Sequence, residues 1–529
     1  MRRTLAVFTA TAVLVPLAAT AAPGAASAAT NTLTVTAYDR TGATVATRVT
    51  TVNLSTKKPY VLTSGKARTL PKGTYVAMAD IFTPGERSST LGGRTVKVSG
   101  ASATTIDARL GRPVDVGLSP AAAPGSYRTT VARICTPANY GEWAANGDPR
   151  NPLYVVPNGS ENFRFAYATY VSEPRSAQSS PGLTGYVLAG TTKGIPAGYS
   201  RAVPRSGLAR VTVGTRSGAI FPDEHSMTLD YRGGGCLSRM PQHPAGWDDD
   251  NNFRYTWPAP NRTTVHVTPG TWELSTGSNT SEQSRTLALT GGNSYSLTFF
   301  RAVYGPHRYV PWVARRVISF STLGMVANPD SGLSDYSDAG ATRSTVTLTR
   351  SGKTLKKQTR DSRSAYEFRY RISSAGWYGL TVDSRRYHPE GAPTPSWLLS
   401  PRTVAKFRFH ANPDLYRTMP VHLVRFAASG LDSQNRAKAG STTSVQLKLE
   451  RPQQYHDAPR AKSTVKSVTA QVSYDNGKTW KKVGVTKSGS KWIASVKNPQ
   501  SGFVTLRAKV TDTKGNSSDI TIYRAYRIA

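Results

Sequence analysis

Hydrophobic and polar residues alternate along most of this chain. Leu33, Val35 and Ala37 share one side of an opening strand, and the turn Asp39-Arg40-Thr41-Gly42 follows. The same two-residue period marks Arg128 to Cys135, Asn162 to Val171, Leu208 to Thr215, Tyr295 to Val303, Thr345 to Arg350 and Val404 to His410. Almost no stretch carries the 3.6-residue apolar period of a packed helix. Period two, β-branched residues and Gly/Pro/Asn/Asp punctuation predict strands joined by turns, and so an all-β chain of tandem β-sandwich domains.

The punctuation divides the chain into a leader, 1–28, and four β-rich units: 29–110, 111–304, 305–417 and 418–529. The first, with the turn Leu70-Pro71-Lys72-Gly73 feeding Thr74-Tyr75-Val76, resembles the small sandwiches of the carboxypeptidase-regulatory or transthyretin-like type. The second holds long Gly/Ser/Pro loops, and its end echoes the first. Pro269-Gly270-Thr271-Trp272 matches Gly73-Thr74-Tyr75, and Arg285 to Gly291 matches Arg94 to Gly100; Gly376-Trp377-Tyr378 is a third instance. The last unit contains about seven strands, from Val421 to Ala427 through Ile520 to Ala525, and this spacing predicts an immunoglobulin-like sandwich.

The leader reads as a secretory signal. Arg2 and Arg3 form its basic end, Leu5 to Ala19 its apolar run, and Ala26-Ser27-Ala28 a small-residue cleavage site. The run is too short and too rich in Ala and Thr to predict a membrane anchor. The chain is therefore expected to be secreted and extracellular. It carries a net charge of +36, with the basic residues spread along its length. Such a surface keeps the protein soluble and attracts polyanions, but no nucleic-acid-binding module accompanies the charge. Only two cysteines occur, Cys135 and Cys236. In an oxidising exterior the pair predicts one disulfide, closing a long loop within the second unit.

Candidate chemistry is sparse. In Trp247-Asp248-Asp249-Asp250-Asn251-Asn252, the alternate oxygen ligands Asp248, Asp250 and Asn252 could hold Ca²⁺. An EF-hand loop would need Gly at position 253, where Phe stands, so a solvated acidic loop is the default. Of the nine tryptophans, Trp247 and Trp257 flank this loop and are the first candidates for a sugar platform; packing is the commoner role of Trp in sandwiches. No G-x-S-x-G elbow occurs, and no histidine sits in a His-Gly-Thr context, so sequence supplies no activated nucleophile. Gly352-Lys353-Thr354 and Gly477-Lys478-Thr479 lack the leading Gly of a phosphate loop. Ser473-Tyr474-Asp475-Asn476-Gly477-Lys478-Thr479-Trp480 matches the Asp-box pattern of sialidase-type propellers, where the motif is a structural turn outside the active site. It reads as a hairpin with Asn476-Gly477 in a type I′ turn, Asp475 stabilising it and Trp480 packed beneath; a single box does not build a propeller.

From residue 295 onward, the order of short motifs resembles one family. Tyr304-Gly305-Pro306-His307, Ser331-Gly332-Leu333-Ser334-Asp335, Trp377 to Val382, Val404 to Phe409, Met419-Pro420-Val421, Val472 to Trp480 and Leu506 to Asp512 look like the non-catalytic C-terminal region of large secreted bacterial subtilisin-like serine peptidases. Leu70 to Tyr75 and Ile106 to Arg109 are similar to the first module of that region, and 120–290 matches least. The family's catalytic Asp, His and Ser motifs have no counterpart here, so the resemblance carries over no catalytic residue. It implies an extracellular binding or accessory module. The alternatives are a peptidase-associated hydrolase with an unrecognised site in 120–290, and a protein that binds cell-wall polymer or polysaccharide. Partners of these classes, or a secreted protein, are expected, with no cofactor beyond the candidate Ca²⁺.

Overall fold

The computed structural model describes residues 31–529 apart from 138–140, 174–183, 220–225, 238–240, 243–260, 279–280, 328–333, 338–341, 362–366, 388–392 and 453–461. The chain is all-β: the described residues form seven sheets, and their only helical segments are three single 3₁₀ turns. No described helix is long and apolar enough to cross a membrane.

The N-terminal part is built in layers. Thr32–Tyr38 lies in a three-stranded sheet, parallel to Ala101–Asp107, with Leu33, Val35 and Ala37 fully buried as the alternation predicts. This sheet packs on a seven-stranded one through Val49, Tyr75, Ala77, Ala79 and Ile81. The central strand Gly73–Thr83 is covered on both faces, since Val76 and Met78 point into a second core with Ile134, Phe165, Tyr167 and Leu188. A strand buried on both sides must be apolar throughout, which is why Tyr75 to Ala79 breaks the alternation.

Sheet ladders run across the chain divisions. The seven-stranded sheet holding Gly73–Thr83 also takes in Arg112–Ser119, Leu153–Val155 and Tyr199–Pro204, so its hydrogen bonds pass residue 110. Arg402–Ala411 pairs antiparallel with Ser517–Ile528 over seven residue pairs, so residues 305–417 and the C-terminal sandwich share one nine-stranded sheet. Two four-stranded sheets cover its inner face, one through Phe320 against Phe407 and the other through Val445, Leu447, Ala494 and Val496. Joining edges in this way satisfies backbone groups that separate sandwiches would leave open.

The three echoed motifs are one structural device. Tyr75, Trp272 and Tyr378 are all buried, and each donates a hydrogen bond to the carbonyl four residues before it. Tyr75 Oη bonds Pro71 O at 2.7 Å, Trp272 Nε1 bonds Thr268 O at 2.9 Å, and Tyr378 Oη bonds Ser374 O at 2.9 Å. A buried aromatic with a polar tip needs such a partner, and the upstream turn supplies it. The glycine opening each strand is crowded: an added Cβ would meet Asn53 at 2.7 Å, Tyr231 at 2.7 Å or Arg350 at 3.0 Å.

Candidate functional site

The residue between the glycine and the corner aromatic faces outward. It is Thr74 in the first corner, Thr271 in the second and Trp377 in the third. Trp377 thus stands at the rim of the nine-stranded sheet, directly across from His410. The Arg408 guanidinium lies 3.8 Å from its ring centroid, and His410 meets it edge-on at 5.6 Å. Arg408 also donates to Gly515 O at 2.7 Å, tying this rim to the hairpin Asp512-Thr513-Lys514-Gly515-Asn516.

A cleft of about 290 Å³ opens beside Trp377. His410, Arg417, Lys462 and Lys514 line it with Pro420 and Asn516. No described carboxylate is among its lining residues. Asp512 stands nearby, but its oxygens accept from the Lys514 and Asn516 backbone N–H groups, Asn516 Nδ2 and Ser463 Oγ. Arg417 Nε is buried without a hydrogen-bond partner. The site is cationic, small and polar. The outward sheet face beside it carries further arginines: Arg402 forks onto Asp383 at 2.8 and 2.6 Å and lies over Tyr523, while Arg507 pairs with Asp519 and lies over Trp480.

Behind the cleft Ser, His and Asp meet. His422 Nε2 is 3.1 Å from Ser463 Oγ, which is 3.1 Å from Asp512 Oδ2. The order matters. The carboxylate can only accept, so the serine spends its single proton on Asp512, and His422 Nε2 must donate to the hydroxyl oxygen. An imidazole that presents a proton to the serine cannot remove one from it, so this trio lacks the wiring of a catalytic triad. Burial, reinforced by Arg451, pushes the His422 imidazole below its ordinary value, while Asp512 pulls the other way. The network anchors the segment carrying Lys462 to the hairpin carrying Lys514.

The other sequence candidates fall as follows. Trp247, Asp248, Asp250, Asn252 and Trp257 lie outside the described residues, and with them the candidate Ca²⁺ loop. Cys135 and Cys236 are bonded, with Cα atoms 5.8 Å apart across a sequence separation of 101, packed against Ala166, Ala168 and Leu237. Closing a loop of this length stabilises the fold by roughly 4–5 kcal/mol in the chain-entropy model. Asn476 and Gly477 have φ of 58° and 89°, as a type I′ turn requires. The hairpin is looser than its sequence implied: the last pair between its two strands is Val472 with Lys481, and residues 474–480 lie outside both strands. The loop exists because Asp475 caps it, accepting from Ser473 Oγ, Thr479 N and Thr479 Oγ1. Those bonds hold the Asp475 carboxyl well below the usual carboxylate range. Trp480 and Tyr523 close against Gly477, where an added Cβ would lie 2.9 Å from Tyr523.

Sequence reading missed the cleft. The signal was present in the echoed motifs, as the single outward position where Trp replaces Thr. Arg417, Lys462 and Lys514 carry no local pattern, and only the ladders bring them together.

No protein-family model matches the chain, and no curated protein sequence matches it significantly. Among solved structures, the FN1–FN3 domains of chicken CNTN1 align at 10% identity over 57% of this chain and 90% of theirs, with a TM-score of 0.14. Sidekick-1 immunoglobulin domains 1–5 align at 8% identity over 91% and 93%, with a TM-score of 0.12. A polysaccharide lyase aligns at 10% identity over 59% of this chain and 40% of its own, with a TM-score of 0.14. At these TM-scores the likenesses carry no argument, and the fold rests on the chain's own ladders.

Proposed function

We propose that this protein is a secreted, non-catalytic binding or accessory module, akin to the appendages of subtilisin-like peptidases, and that its ligand is an anionic extracellular polymer. The cleft beside Trp377 carries this reading. Three long basic side chains and an imidazole converge there, and no described carboxylate lines the space. The chain's net charge of +36 would draw such a polymer toward it. The wiring of Ser463 supports the non-catalytic part, because the hydroxyl already donates to Asp512.

Sedimentation of the purified protein with bacterial cell walls tests the reading. Co-sedimentation is expected at low salt, falling steeply as salt rises. Absent or salt-indifferent co-sedimentation removes the anionic-polymer assignment. The hydrolase alternative is tested separately with casein and a serine-reactive fluorophosphonate probe. Neither hydrolysis nor labelling is expected; one labelled serine, lost on replacement by alanine, would overturn the non-catalytic assignment.

A further inference from the structure

We infer that the cleft beside Trp377 and the hairpin tip Arg315-Arg316 form one track for a linear polymer of polyol units joined by phosphodiesters. This rests on the reading of the protein as a binding module and names its ligand.

The tip is an unusual turn. Ala314 pairs with Val317, so Arg315 and Arg316 alone make the two-residue connection, with φ of 48° and 65°. Type I′ turns of this shape favour Asn-Gly, Asp-Gly or Gly-Gly. Two exposed arginines hold it instead, where local conformational preference argues against them. Their neighbours are also basic: Val317 pairs with Arg371, and Val313 pairs with Arg417 of the cleft. Arg315 is therefore two residues along the strand from the Arg417 pair, about 7 Å at the strand rise. Successive phosphates on a three-carbon polyol repeat on the same scale.

The ligand class follows from what the track offers. Arg417 Nε, buried without a partner, is a donor whose desolvation is uncompensated until an anion arrives. Arginine forks match the paired oxygens of a phosphodiester. Trp377 is not a free platform, since the Arg408 guanidinium lies over its ring at 3.8 Å, His410 meets it edge-on, and even one Cβ added at Gly515 would lie 3.4 Å from it. The stacking on an open aromatic face that strengthens binding of single-stranded nucleic acid has little room here. A flexible polyol phosphate has no ring to stack and is read through charge alone.

Binding of the full chain to a synthetic linear glycerol-phosphate polymer, followed across a salt series, tests the assignment. The variant Arg315→Asn/Arg316→Gly removes two charges while keeping a sequence suited to the turn, so loss of fold is not at issue. Lys462→Ala/Lys514→Ala removes two from the cleft, and Lys66→Ala/Lys72→Ala removes two exposed charges from the N-terminal sandwich. The tip and cleft variants should each bind roughly tenfold more weakly and lower the slope of log K against log salt by about 2. The N-terminal variant should change neither. Equal losses from all three, or equally tight binding of single-stranded DNA or polygalacturonate, would overturn the track. Failure to bind this polymer by a protein that still sediments with cell walls overturns the track and leaves the module reading standing.

Discussion

The first and third aromatic corners use the same bond for different ends. In both, a crowded glycine starts a strand, and a buried tyrosine two residues on donates to the carbonyl four positions upstream. In the first, the outward residue is Thr74, whose carbonyl accepts from Leu54 N and closes the layer. In the third it is Trp377, with arginine over its ring and histidine edge-on to it at the mouth of a cationic cleft. The corner is scaffold, and the outward position is where one copy departs from it. A repeated motif is therefore most informative at the place where it stops repeating.

The largest effects test whether the two corners are the same device. Tyr75→Ala and Tyr378→Ala should each cost about 3–5 kcal/mol, because both remove a buried ring from a filled core. Tyr75→Phe and Tyr378→Phe should each cost about 1 kcal/mol, the worth of one buried hydrogen bond. Chemical denaturation of the four variants measures this. Arg350 lies over the Tyr378 ring, whereas the ring that meets Tyr75 among the described residues is Tyr60, edge-on. A phenylalanine penalty several times larger in one corner than in the other would break the comparison.

A smaller effect concerns two turns of one shape. Asn476-Gly477 and Arg315-Arg316 both have positive φ at consecutive residues. Left-handed backbone costs an ordinary L-residue about 1–2 kcal/mol. Arg315→Asn/Arg316→Gly should therefore stabilise the protein by about 1–2 kcal/mol. Asn476→Arg/Gly477→Arg should destabilise it by more, since Tyr523 leaves no room for a Cβ at 477. The thermal midpoints of the two swaps should move in opposite directions; a shift of the same sign in both would show that the arginine turn is not strained.

These two turns also show what the sequence made legible. Asn476-Gly477 announces its backbone because its residues are the ones the turn prefers. Arg315-Arg316 announces nothing, because the surrounding ladder imposes a shape that its residues resist. The alternation of Leu33, Val35 and Ala37 revealed a one-sided strand, and the echoed Gly-x-aromatic motifs revealed the corners. The join between Arg402–Ala411 and Ser517–Ile528 was not readable, since pairing across more than a hundred residues leaves no local trace. The cleft depends on that join, so it too stayed hidden.

The last prediction separates the two corners by the sign of their response to acid. Asp80, on the strand that Tyr75 helps to open, is raised to about 6 by burial, against weaker help from Ser89 and the Ile81 N–H. A raised carboxyl binds its proton in the folded state before the unfolded chain does. The first sandwich therefore gains stability as pH falls through about 6 toward the ordinary carboxylate value of 3.8. The third corner's side of the molecule holds His307 and His422, both lowered chiefly by burial. There the unfolded state takes up protons first, near the ordinary 6.5, so stability is complete above that value and is lost as pH falls below it. Peptide-resolved hydrogen exchange at about pH 7.5 and about pH 5.5, corrected for intrinsic rate, reads both regions in one sample. Protection should rise across Gly73–Thr83 and Ser88–Val98 and fall across Leu423–Ala428 and Thr442–Glu450. Asp80→Asn should abolish the rise without touching the fall. If both regions lose protection together, burial of Asp80 is not the governing term, and the two ends of the chain unfold as one cooperative unit.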